Sequence, residues 1–106
     1  TARAFTSLGI FNLRNARFAD DGAQLDPNCN CPACRKHSRG YLHHLFKAEE
    51  MLGPALLSWH NVQYYQDLMR GLRRAILDRR LLSYTDELRA AWNTQEFFYD
   101  RHLGTD

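Results

Sequence analysis

The sequence predicts a small α+β domain, with an N-terminal β-hairpin or short antiparallel sheet followed by three to four helices. Three observations carry this. Residues 4–18 show short apolar runs with rough alternation, the period of a strand. After residue 34 the apolar spacing switches to i, i+3, i+4, the period of a helix. Between the two lie all three cysteines, within six positions.

Along the chain, "AFT" is a short apolar strand candidate. "SLG" is a turn, with Gly9 free to take a positive φ. "IFNLRNARF" alternates Phe11 and Leu13 with Asn12 and Arg14, and forms the return strand. "ADDGAQLDPN" (19–28) is rich in Asp, Gly, Pro and Asn and reads as a loop. Tyr41, Leu42, Leu45, Ala48, Glu49 and Leu52, with one polar entry among them, mark a first helix, which Gly53-Pro54 is expected to interrupt. Val62, Tyr65, Leu68, Met69, Leu72 and Ile76 form the inward stripe of a longer second helix. Its other face carries Arg70, Arg73, Arg74 and Arg79. A last helix is expected over about 84–98, with Leu88, Ala91, Trp92 and Phe98 inside. The organisation is one domain over 1–106: strands and metal loop at 4–34, helices at 35–98 and a tail at 99–106. Tyr64 and Tyr65 read as core. The apolar helical surface is large for so short a chain, and part of it is expected to face another body.

Length and charge set bounds. The chain has 106 residues, 44% apolar and 25% charged, with a formal charge of +2. A chain this short buries only about 60–65% of its unfolded surface, so a staple would help. The charge is too small to argue for nucleic acid by itself, although it permits a local basic face. No run of about 18 apolar residues exists, so no membrane span is expected. No signal peptide is expected, and the chain opens without Met, as a piece of a longer protein would.

Three cysteines cannot pair off into disulfides alone, and Cys29 and Cys31 are too close to bridge each other without strain. The pattern therefore points to a metal and to a reducing, cytoplasmic compartment. Cys29-x-Cys31-x2-Cys34 can fold around one Zn²⁺ as three thiolate ligands, leaving a fourth to be found. His37, three residues after Cys34, and His60, after the Gly53-Pro54 break, remain rivals for it. His102 is a further candidate, and His43 and His44 lie inside the first helix and should point away. Two blander readings compete with the metal. One is three buried free thiols; the other is a redox Cys31-x2-Cys34 pair, which here lacks the usual strand-then-helix context.

The residues resemble the tRNA-guanine transglycosylase (queuine tRNA-ribosyltransferase) family, bacterial branch. The resemblance rests on Cys29-x-Cys31-x2-Cys34 followed by His60. It rests equally on the words "NLRNARF", "LDPNCNC", "SRGYLHHL", "EEMLG", "HNVQYYQDLM" and "LRRAI", spanning about residues 4–78. It implies that Cys29, Cys31, Cys34 and His60 hold one structural Zn²⁺ and that His37 does not. It further implies the C-terminal zinc-binding part of a (β/α)8-barrel enzyme, with the barrel's last helix in the 60–78 region. That family exchanges the wobble guanine of tRNA for a 7-deazaguanine base through a nucleophilic Asp. The catalytic aspartates are expected before residue 1, and Asp20, Asp21 and Asp26 do not match them, so no catalytic residue is assigned here.

The remaining polar and aromatic residues have two readings each. Arg14, Arg17, Arg35, Lys36 and Arg39 suit contact with tRNA phosphates, or a solvated basic face. Arg70, Arg73, Arg74, Arg79 and Arg80 suit a helix C-terminus, where cations meet the dipole. By the resemblance, His37, Tyr41 and His44 form an aromatic patch of a homodimer contact. Trp59 joins them, standing where many family members carry a polar or acidic residue. The competing function is a free-standing zinc module that binds RNA or protein without catalysis; a helical interaction domain with incidental thiols is a third.

Overall fold

The computed structural model describes residues 2–92. Strands β1 (Arg3–Thr6) and β2 (Gly9–Asn12) form a two-stranded antiparallel hairpin. Four helices follow: α1 (Pro32–Lys36), α2 (Arg39–Lys47), α3 (Leu52–Leu77) and α4 (Leu81–Trp92). The α+β class and the hairpin-then-helices order expected from the sequence are what is observed.

The hairpin register pairs Arg3 with Asn12, Ala4 with Phe11, Phe5 with Ile10 and Thr6 with Gly9. Ser7-Leu8 makes the turn, and Gly9 takes φ 134°, a conformation open to glycine and rare for other residues. Burial fixes the register, because a slip of one residue would turn the buried Ala4 and Phe11 to solvent. The return strand is shorter than "IFNLRNARF". It stops at Asn12, whose side chain accepts from the Arg14 N–H at 3.0 Å, and Asn15 repeats this on Arg17 at 3.0 Å. Such side-chain turns offer the backbone an alternative to the ladder. A 3-10 turn at Ala16–Phe18 results.

The core gathers Phe11, Leu13, Phe18, Leu25 and Leu42, all fully buried, with Phe46, Leu56 and Leu57 beside them. Ser38 caps α2 by accepting from the Tyr41 N–H at 3.0 Å, and Leu42, His43, Leu45 and Phe46 face inward. His43 Nδ1 lies 2.8 Å from the Leu13 carbonyl, which can only accept, so Nδ1 carries the proton.

Gly53-Pro54 does not interrupt a helix. The break falls earlier, at residues 48–51, where Glu49 takes φ 57° and the Glu50 N–H returns to the Leu45 carbonyl at 2.9 Å. Gly53 and Pro54 sit in the first turn of α3, where the missing proline N–H costs nothing. The expected inward stripe of α3 also differs. Val62, Tyr65 and Ile76 are more than half exposed, while Leu56, Leu57, His60 and Ala75 are buried. Tyr65 is therefore surface, and Tyr64 is half-buried. The last helix begins at Leu81, three residues earlier than expected; Phe98 lies outside the described residues. None of its residues is buried, but Tyr84 lies over Gly71 of α3, and Trp92 Nε1–H donates to the Thr6 carbonyl at 2.9 Å.

Candidate metal centre

The cysteine loop is built by short-range chemistry. Cys31 caps α1, with Pro32 at the first helical position, and the Cys34 and Arg35 N–H groups both bond the Cys31 carbonyl. One turn of helix thus turns the Cys31 and Cys34 sulfurs to the same side. The Cys29 N–H bonds the Asp26 carbonyl at 3.1 Å, and the Cys31 N–H approaches Cys29 Sγ at 3.4 Å. Asp26 anchors the loop to the hairpin turn: its carboxylate accepts from Ser7 N–H and Ser7 Oγ, both at 2.7 Å, and from Asn28 N–H at 3.0 Å.

The fourth group comes from α3, which packs on both α1 and β1. His60 Nδ1 lies 3.5 Å from Cys29 Sγ, 3.5 Å from Cys31 Sγ and 3.3 Å from Cys34 Sγ. All four ligand atoms fall within 4.8 Å of one another, and all four residues are buried. The distances can be tested against zinc. Bonds of about 2.3 Å to sulfur and about 2.0–2.1 Å to nitrogen at tetrahedral angles give S···N edges of about 3.5–3.6 Å. The observed edges match, so Cys29, Cys31, Cys34 and His60 form a tetrad that can hold one zinc ion.

Protonation agrees with this. His60 Nε2 lies 2.8 Å from the Phe5 carbonyl. That oxygen can only accept, so Nε2 carries the proton and Nδ1 turns its lone pair to the sulfurs. Burial pushes His60 below its ordinary value, which keeps the ring neutral. Burial raises the Cys29 thiol to about 11, and raises Cys34 further, with repulsion from Cys31 and Cys29 adding to it. Three adjacent buried thiolates are unfavourable without a cation, and a dication reverses that balance.

His37, the rival ligand, lies outside the tetrad. It follows α1, and its ring stacks on Tyr41 with centroids 4.7 Å apart. Tyr41 and His44 are exposed on α2, and Trp59, 58% exposed, stands on α3. The five basic residues separate. Arg14, Arg35 and Lys36 are exposed. Arg17 is half-buried, its guanidinium 4.2 Å from the Phe18 ring centre. Arg39 is only 6% exposed, lies 4.8 Å over Phe11 and pairs with Asp21 at 3.2 Å. Its charge is satisfied inside the fold. Arg70 pairs with Asp67 and Arg74 with Asp78 on the surface of α3.

Sequence reasoning missed Asp26 and Ser7 as supports of the site. The Asp26-Pro-Asn motif just before Cys29 was the available signal for an anchoring turn. Elsewhere an apolar groove of about 690 Å³ opens between β1, α3 and α4. Its lining includes Phe5, Leu68, Leu88 and Trp92, and it holds no carboxylate and no histidine. Among the described residues no acid–base pair converges there. Among the described residues no helix is long and apolar enough to cross a membrane.

Comparison with known proteins agrees with the site. The family model described as queuine tRNA-ribosyltransferase matches residues 1–94. A queuine tRNA-ribosyltransferase of Granulibacter bethesdensis is 66% identical over 92 residues, covering 87% of this chain and 24% of its own length. That of Gluconacetobacter diazotrophicus is 60% identical over the same coverage. The protein of that name from Brucella melitensis is 53% identical over 89 residues, covering 84% of this chain and 24% of its own. The chain thus spans about a quarter of the length of the curated relatives it matches. With a family match over nearly all of its length and a buried Cys3His tetrad, the chain belongs to the queuine tRNA-ribosyltransferase family.

Proposed function

We propose that this chain is the C-terminal zinc-binding part of a cytoplasmic tRNA-guanine transglycosylase, a tRNA-ribosyltransferase that exchanges wobble guanine for a 7-deazaguanine base. The convergence of Cys29, Cys31, Cys34 and His60 carries the reading. Four protein ligands complete a tetrahedron and leave no position for water, which supports a structural rather than a catalytic zinc. Catalysis is assigned to aspartates elsewhere in the parent enzyme. Three thiolates against one dication leave the centre with a single negative charge, so attraction for RNA falls to the basic side chains. Arg35 and Lys36, exposed on α1 beside the metal loop, and the exposed Arg14 are the residues to contact the tRNA backbone. His37, Tyr41, His44 and Trp59 are the residues to meet a second subunit.

Metal analysis combined with tRNA binding tests the reading. The protein purified without chelator should carry close to one zinc per chain, and zinc-free protein would overturn the reading. In the full enzyme, replacing Arg35 and Lys36 by Ala should flatten the salt dependence of tRNA binding, by about 0.7–0.9 in log–log slope per lost phosphate contact. An unchanged slope would remove the RNA role. A native mass unaltered by Trp59→Glu would count against that residue in a dimer contact.

A further inference from the structure

We infer that Asn61 is a positioning residue of the metal centre, setting His60 to present Nδ1 to the metal. The inference rests on the tetrad being a zinc site. Among the described residues strand β1 pairs with a strand, β2, on one side only, so its other edge needs partners. Two consecutive side chains of α3 supply them. The Phe5 N–H donates to Asn61 Oδ1 at 3.0 Å, and Asn61 Nδ2–H donates to the Arg3 carbonyl at 3.0 Å. His60 Nε2–H donates to the Phe5 carbonyl at 2.8 Å. The carboxamide therefore pairs with the strand as a third strand would, one donor and one acceptor in register.

Phe5 is gripped at both ends of its backbone. Its N–H belongs to Asn61 and its carbonyl to His60. The carbonyl that selects the His60 tautomer is thus held in place by the neighbouring side chain. Without Asn61 the edge of β1 is free to shift, and the Nε2–H loses a fixed acceptor. Partners that orient a metal-bound histidine are worth about 10–100-fold in metal affinity when removed.

The test uses the intact protein and zinc competition against a chelator of known affinity. Asn61→Ala is expected to weaken zinc binding by about 10–100-fold. The same substitution in a His60→Cys background, which needs no imidazole acceptor, is expected to cost less than about two-fold more. An equal loss in both backgrounds would make Asn61 a general structural residue and overturn the inference. So would near-normal affinity in Asn61→Ala alone. If His60→Cys fails to fold, a second measurement on zinc-loaded protein with ¹⁵N-labelled histidine decides the matter. The His60 Nε2–H of Asn61→Ala should exchange with solvent at least about ten-fold faster than in the parent, and unchanged exchange refutes the role. A parent protein that takes up no zinc would remove the metal centre itself, and this inference with it, which the other outcomes do not.

Discussion

Asp26→Asn is a near-isosteric change with a large expected cost, because the carboxylate faces donors alone. Asp26 is 2% exposed. Its Oδ2 takes the Ser7 N–H, and its Oδ1 takes the Ser7 hydroxyl and the Asn28 N–H. The Ser7 oxygen already accepts from Asn28 Nδ2 at 3.0 Å, so its proton goes to Asp26. An asparagine brings one acceptor and one NH2. With the NH2 in the Oδ2 position it confronts the Ser7 N–H; turned round, it confronts the Asn28 N–H. Either way one backbone donor is left unmet. Losing a hydrogen bond to a charged acceptor at a partly buried site costs about 1.5–3 kcal/mol.

For a domain of this size about 1 kcal/mol moves the melting temperature by about 4–8 °C, so Asp26→Asn should melt about 6–24 °C lower. The assay is thermal unfolding by circular dichroism near pH 7, with zinc held in fixed excess so that metal linkage is constant. Asp26→Ala should cost more, since no acceptor remains. Ser7→Ala should cost less, about 1 kcal/mol, since the backbone bond to Oδ2 survives. A melting temperature for Asp26→Asn within about 3 °C of the parent, or a costlier Ser7→Ala, would refute the anchor.

Three further outcomes are expected. Each thiol that binds zinc gives up a proton, so apparent zinc affinity should fall by up to about three powers of ten per pH unit of acidification; chelator competition at several pH values checks this, and a dependence under one power of ten would argue against three protonated thiols in the metal-free state. Without metal the signs differ: burial lowers His60, so its contribution is present above about pH 6.5 and lost as pH falls through the lowered value, while the raised Cys29 contributes below about pH 9 and loses its contribution as pH rises toward 11. Metal-free protein should therefore be most stable between those limits in chemical denaturation. Gly71→Ala should release α4, because a Cβ there collides with the Tyr84 phenol, even though alanine favours the helix by about 1 kcal/mol. Amide exchange in α4 should accelerate while the α2–α3 crossing stays protected, and unchanged α4 exchange would mean that Tyr84 moves aside at no cost.

What could be read in the sequence follows the range of the interactions. Three ligands were legible because they lie within six residues, where spacing alone sets geometry. The fourth needed the direction of α3, which depends on where α2 ends. That end is invisible to propensity, since Glu49 adopts the left-handed conformation usually left to glycine. Gly53-Pro54 looked like the break because proline cannot continue a helix, yet it can begin one. The stripe on α3 misled because the helix is apolar on two sides. Leu56, Leu57 and His60 meet the core, while Trp59, Val62 and Tyr65 do not, and periodicity cannot say which side is covered. Arg39 read as a surface cation because charge is the visible property of arginine. Its flat face against Phe11, with Asp21 at its end, is a packing property that only the fold reveals.

The metal centre then has a role larger than holding its own loop. Cys34 and His60 are 26 positions apart. Cross-linking a loop of that length restricts the unfolded chain by about 3.5 kcal/mol on the polymer argument used for disulfides. His60 also reaches back 55 positions to Phe5, and Asn61 reaches 58 to Arg3. A two-stranded hairpin is marginal alone, and this one has its outer edge met by the residues that complete the site. Fixing the His60 ring by zinc therefore fixes the hairpin against α3, and loosening the ring frees the edge of β1. One ion held by Cys29, Cys31, Cys34 and His60 would thus tie loop, strand and helix together at the point where they meet.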